Sequence, residues 1–117
     1  MRASELHDLV ADAFNRADVD ALVALYEPDA AMVKDDRSVA SGLDAIRDVW
    51  AEMATAGGRI SMDTQYVIEA GDVALLSNTW TYEGGGITFS ATSAEVAHRS
   101  ADGRWRYVLD NPFGGGA

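Results

Sequence analysis

The segment RWRYVLDNPFG, residues 104–114, alternates like a buried strand yet finishes on a carboxylate and a carboxamide, Asp110 and Asn111, just before Pro112. A carboxyl group at the end of an inward-facing strand loses hydration, and desolvation lifts its pKa toward neutrality, where it can both take and return a proton. Asp110 is therefore the candidate acid–base residue. The competing reading is that Asp110 opens a DNP turn and spends its side chain on a nearby backbone N–H in solvent. The strand leaves both readings open. Trp105, Tyr107 and Leu109 form one alternating set and Arg106, Val108 and Asp110 the other, so an inward Asp110 requires an inward Val108.

Asn78 is the second polar residue in an apolar setting, between Leu76 and Trp80 on one face of a predicted strand. An unpaired carboxamide there would cost about 1–3 kcal/mol, so it needs a ligand group, a buried water or Tyr66 as its partner. Tyr66, in phase with Ile60, Met62 and Thr64, joins Asp110 as a catalytic candidate, with Asn78 helping it polarise a carbonyl or hydroxyl. Trp50, Met53, Met62, Trp80 and Tyr26 supply the apolar wall, as a ligand platform or as plain core.

Other chemistries find little support. The chain has no cysteine, which removes disulfides and thiolate nucleophiles. Its two histidines, His7 and His98, stand at no spacing to Asp or Glu that suggests a metal, and no cofactor is expected. His7 reads as lying on a helix flank, His98 as exposed near a strand end, and Glu95 as facing outward, because it alternates with Ala94 and Val96. EGGGI lacks the lysine of a phosphate loop, and no G-x-S-x-G is present. KDDRS is a solvated loop where Asp35 and Asp36 could meet a cationic ligand at a cavity mouth.

The elements that must hold these residues follow from periodicity. Leu6, Leu9, Val10, Ala13 and Phe14 predict a first helix capped by Ser4, and Leu22, Val23, Leu25 and Tyr26 a second, opened by Asp18 or Asp20 and stopped by EPD. AAMV predicts a brief strand. Leu43, Ile46, Val49, Trp50 and Met53 predict a third helix ending at Gly57–Gly58. Beyond Gly58 the period falls to two, and four strand runs separated by EAGD, EGGG and SADG predict an antiparallel meander. In the third run Phe89 and Ala91 are out of phase with Ala94, Val96 and His98, which predicts a bulge near Ser93. The fold class is α+β: three helices, then four main strands forming a cone-shaped curved antiparallel sheet wrapped around the helices. One domain over residues 1–113 is expected, with a flexible glycine-rich tail over 114–117.

Composition narrows the partners. A chain of 117 residues supports one core, and 48% hydrophobic with 24% charged residues is that of a folded protein. The net charge of −10, with nine Lys and Arg, disfavours nucleic acid and anionic membranes. With no apolar run of membrane-spanning length and no basic-then-apolar leader, a cytoplasmic location is expected.

The ordered run NRADVDALVALYEPDAAMV, SGLDAIRDVWAEM and DGRWRYVLDNPFG resembles the nuclear transport factor 2-like superfamily, and within it the SnoaL-like proteins, across almost the whole chain. The resemblance implies chemistry inside the cone and a homodimer through the outer sheet face, to which Ser77, Thr79 and Thr81 would contribute. It does not transfer the better-known catalytic sets. The oxyanion tyrosine of the steroid isomerases falls on Val10, their aspartate base falls on Lys34 with Asp35 one place beyond, and no Arg-x-Asp matches the epoxide hydrolases. In SnoaL-like polyketide cyclases an aspartate in the cone is acid and base, and Asp110 is its nearest match. The implied function is binding of a small hydrophobic, polyketide-like or steroid-like molecule, with a cofactor-free isomerase, cyclase or lyase step. The alternative is a non-catalytic ligand-binding or dimerisation module of the same fold.

Overall fold

The computed structural model describes residues 1–115. A single 3₁₀ turn over Ala3–Glu5 leads into α1 (Leu6–Asn15), followed by α2 (Val19–Val23), β1 (Tyr26–Val33), β2 (Val39–Ser41) and α3 (Leu43–Thr55). The rest is sheet: β3 (Arg59–Ala70), β4 (Val73–Gly84), β5 (Ile87–Thr92), β6 (Ala94–Arg99) and β7 (Trp105–Asn111). The α+β class is as expected. The sheet is mixed, curved and unclosed, with seven strands among the described residues where four main runs and one brief strand were expected, in the order β2-β1-β7-β6-β4-β3 and with β5 on β4. Its parallel pair is β1 with β7. Among the described residues, no helix is long and apolar enough to cross a membrane.

Local chemistry explains most boundaries. Asp18 caps α2 by accepting the Ala21 N–H at 3.0 Å. That helix stops at Val23, and Tyr26 opens β1 instead of closing the helix, because Pro28 favours an extended residue before it. Ser4 does not cap α1; the preceding 3₁₀ turn replaces the cap, and no side chain bonds the helix's N-terminus. Gly57 and Gly58 follow α3 with φ of +75° and +94°, and a Cβ on Gly58 would sit 2.6 Å from the Glu83 carbonyl oxygen, so the chain can leave α3 for β3 only through glycine there.

The sheet packs its inner face on α1 and α3. Leu6, Leu22, Ile46, Leu76, Trp105 and Tyr107 are fully enclosed, each stabilising the fold by roughly 1.5–3 kcal/mol relative to exposure. Strand phase decides which polar groups join them. No bulge occurs near Ser93: Thr79 pairs with Thr92 and Leu76 with Glu95, equal steps on both strands, so the register against β4 runs straight through. Phe89, Ala91, Ser93, Glu95 and Ala97 therefore share the inner face, and Ala94, Val96 and His98 point the other way. The bulges lie elsewhere. One falls at Gln65 in β3, between the Thr64–Asn78 and Tyr66–Ser77 pairs; another falls at Val108 in β7, between the Ala97–Tyr107 and Val96–Leu109 pairs; and the β1–β7 register shifts between Tyr26 and Ala31, around Pro28.

The second bulge decides the face of Asp110. Because Val108 is the extra residue, Trp105, Tyr107 and Asp110 all point inward, while Leu109 is 52% exposed. An inward Asp110 thus does not need an inward Val108. At the carboxyl end, Gly114 and Gly115 are tied by N–H bonds to the Asn111 and Thr92 carbonyl oxygens. The remainder of the expected tail, residues 116–117, lies outside the described residues.

Candidate functional site

The inner face of the sheet and α3 enclose a cavity of about 680 Å³, within the size range of small-molecule pockets. Trp50 and Met53 reach it from α3, Met62 from β3, Asn78 and Trp80 from β4, and Asp110 from the end of β7. Six of the eight residues named from sequence therefore line one space. Lys34, Asp35 and Asp36, from the β1–β2 loop, also line it, with Glu52 of α3.

Asp110 is a buried part of the lining, 8% exposed. The Tyr26 hydroxyl donates to its Oδ2 at 2.6 Å, and the Trp50 indole N–H donates to the Tyr26 oxygen at 3.3 Å. Tyr26 thus stands behind Asp110 and does not line the cavity itself. Burial is the main force on the Asp110 carboxyl, and the facing Glu95 adds to it; the bond from Tyr26 opposes both, and the result is a pKa of about 7. The turn that follows is closed by Asn111, whose Oδ1 accepts the Phe113 N–H at 3.1 Å. The carboxamide makes the turn, and the carboxylate is left for the cavity.

Beside Asp110 lies a network that sequence reasoning missed. Glu95 pairs with Asp110 in register across β6 and β7 and is buried, contrary to the expected outward placement. Its Oε1 lies 2.7 Å from His7 Nε2, and its Oε2 accepts the Asn78 Nδ2–H at 3.1 Å. His7, expected on a helix flank, is enclosed, with Nδ1 2.7 Å from Thr64 Oγ1. A carboxylate can only accept, so Nε2 carries a hydrogen. Asn78 Nδ2 also donates to Ser93 Oγ at 2.7 Å, whereas Asn78 Oδ1 is buried without a partner among the described residues. The free atom of Asn78 is an acceptor, so it cannot polarise a carbonyl as expected.

Tyr66 is placed elsewhere. The bulge at Gln65 reverses the strand's phase, so Val67 turns inward and Tyr66 is 40% exposed, outside the cavity. Of the two phenols lining the cavity, Tyr82 donates to the Gly57 carbonyl oxygen and Tyr107 has no such partner; burial first, and then Glu95 and Asp110, push the Tyr107 pKa well above 10. Two signals could have found the missed residues. Unbroken alternation from Phe89 puts Ser93 and Glu95 inward, and His7 stands at helical spacing before Val10 and Phe14. Among the described residues no group of three possible ligands could hold a metal ion.

The profile of the SnoaL-like domain matches residues 6–108. The chain belongs to the SnoaL-like family. Solved structures place this SnoaL-like chain in the nuclear transport factor 2-like fold. It is similar to a ketosteroid isomerase-like protein from Erwinia carotovora atroseptica, at 23% identity, a TM-score of 0.76 and coverage of 92% of this chain and 89% of that one. A nuclear transport factor 2-like protein of unknown function from Shewanella oneidensis superposes at TM-score 0.81 and 16% identity, over 92% and 93% of the two chains. A proposed dehydratase of the same fold family from Streptomyces avermitilis gives 0.76 and 19%, over 92% and 90%. Identities this low speak for the fold of the SnoaL-like chain alone. No curated protein matches it.

Proposed function

We propose that this SnoaL-like domain binds a small, largely apolar molecule in its cavity and moves a proton on it with Asp110, as a cofactor-free enzyme of the isomerase or cyclase type. The observation that carries this reading is a carboxyl group with a pKa of about 7 on the wall of a cavity of about 680 Å³. A base poised near neutrality is ionised often enough to abstract a proton and basic enough to hold it. Trp50, Trp80, Met53 and Met62 seat the apolar body, and the Tyr107 hydroxyl, not Tyr66, is the phenol available to the reacting group.

The test is exchange of the α-hydrogens of cyclic ketones, beginning with 2-tetralone, in D₂O by NMR. The parent chain accelerates exchange with a rate that rises through pH of about 7, and Asp110→Asn loses about a hundredfold or more. Exchange undiminished in Asp110→Asn removes Asp110 from the chemistry. A second reading, a binding module without catalysis, draws on the interlocked bonds of His7, Glu95 and Asn78, which leave much of the polar wall already satisfied. It predicts ketone binding without faster exchange.

We also propose a homodimer through the outer sheet face. Ser77 does not offer the expected flat polar surface, since it is buried and bonded to the Ser93 carbonyl oxygen at 2.6 Å. The outer face is instead apolar, with Ile68, Val73, Leu75 and Leu109 exposed. Light scattering on the eluting protein gives two chains for the parent and one for Leu75→Lys; a parent of one chain rejects the dimer.

A further inference from the structure

We propose that the cavity is built for an organic ammonium ion carried on an apolar skeleton, its N–H groups taken by the Asn78 carbonyl oxygen and the Asp110 carboxyl. This rests on the reading that the cavity holds a small molecule, and it adds the chemical class of that molecule.

The first argument is a census of donors. The Trp50 indole N–H goes to the Tyr26 oxygen at 3.3 Å and that of Trp80 to the Pro112 carbonyl at 2.7 Å. The Tyr82 hydroxyl goes to the Gly57 carbonyl at 2.5 Å, both Asn78 amide hydrogens go to Ser93 and Glu95, and both His7 nitrogens are engaged by Thr64 and Glu95. A ligand ending in a carboxylate or phosphate meets donors that are mostly committed, the Tyr107 hydroxyl and Lys34 excepted. Acceptors are another matter. Asn78 Oδ1 is buried with no donor, a standing penalty that a ligand N–H removes, and the bond from Tyr26 to Asp110 Oδ2 leaves Oδ1 for a ligand.

The second argument is charge. Asp35, Asp36 and Glu52 line the cavity against one lysine, Lys34, and Glu95 and Asp110 face each other inside. A neutral hydroxyl has one hydrogen to give, whereas a primary or secondary ammonium gives two or more and offsets the paired carboxyls. The rings of Trp50 and Trp80 add faces that attract a cation. An ammonium also lets Asp110 ionise beside Glu95, and that sets a pH dependence. The groups facing Asp110 are Glu95 from β6, Tyr26 from β1 and Tyr107 on its own strand, with His7 of α1 acting through Glu95. Tyr26 and Tyr107 are held well above 10. Below a pH of about 7 a proton must leave Asp110 before the cation is paired, so affinity falls as pH falls.

The test is calorimetry on the full chain with 2-(1-naphthyl)ethylammonium and its neutral partner 2-(1-naphthyl)ethanol, in about 0.15 M salt to screen exposed carboxylates. At pH 8 the ammonium binds about tenfold tighter than the alcohol or better, and at pH 6 it binds about tenfold weaker than at pH 8, while the alcohol does not change. In Asp110→Asn the pH dependence disappears. Alcohol binding as tight as ammonium binding at pH 8 overturns the inference and leaves a small-molecule cavity standing; binding of neither overturns both. Asn78→Leu weakens the ammonium more than the alcohol, and equal weakening overturns the role of Asn78. Should that variant not fold, the parent chain at the two pH values decides.

Discussion

Between pH 4 and 7 the parent chain loses stability as the pH rises, and Asp110→Asn does not. The folded-state pKa of Asp110, about 7, lies above the ordinary carboxylate value of 3.8, so across this window the native state binds a proton that the unfolded state has released. Stability carried by that group is whole below about pH 4 and is gone once the pH has passed the folded value. The size of the effect is on the order of 4 kcal/mol, from a shift of about three units at 1.36 kcal/mol each. Other shifted groups act outside the window. Asp36 and Asp102 are held low, chiefly by bonds from Ser38 and the Arg104 N–H, so their influence falls below pH 4; Tyr26 and Tyr107 titrate above 10. Urea unfolding at half-unit steps from pH 4 to 8 measures the difference, and parallel curves for parent and variant would show that Asp110 is solvated. Glu95→Gln draws the upper edge of the window below 7 but not down to 3.8, because burial, the larger cause, remains.

Order and class of the elements were legible in the sequence because they rest on apolar periodicity, which α1, α3 and β4 display without interruption. The cavity wall followed from the same signal: Leu76, Asn78 and Trp80 alternate on β4, and Trp50 and Met53 lie one helical turn apart on α3. What failed was phase across irregularities. Inward polar residues were the difficulty, since Ser93 and Glu95 share a strand with Ala94 and Val96, and assigning the apolar pair inward required a bulge that the register does not contain. The two bulges that move site residues, at Gln65 and Val108, carry no Gly or Pro to mark them. Each moves a key residue: one turns Tyr66 out, the other brings Asp110 in. His7 was missed for a related reason. A histidine next to Leu6 reads as a helix flank until its partners are known, and both partners, Thr64 and Glu95, lie more than fifty residues away in the chain.

Those partners set the largest cost expected of any substitution at the site. His7→Ala leaves Glu95, 4% exposed, with its Oε1 unpaired in an apolar surround. Breaking a buried pair from one side costs about 3–5 kcal/mol, because the remaining charge has neither water nor a counterpart. That is a large share of the roughly 5–15 kcal/mol that holds a domain of this size. Replacing both partners costs less than the single change suggests. In His7→Ala with Glu95→Gln the group left behind is neutral, keeps an oxygen for Asn78 Nδ2, and loses no charge–charge term. The double variant is therefore more stable than the sum of the two single changes by about 1–3 kcal/mol. Denaturant unfolding of the four proteins measures this coupling, and a coupling within about 0.5 kcal/mol of zero would mean that the 2.7 Å contact is not an energetic pair. The same set of proteins tests whether the pair serves Asp110. His7 fixes Glu95 opposite Asp110, and the charge held there helps keep the Asp110 carboxyl near 7. Glu95→Gln should thus lower the midpoint of the ketone-exchange pH profile even where it leaves the fold intact. His7→Ala would move that midpoint only through what it does to Glu95, which makes it a positioning residue and not a catalytic one.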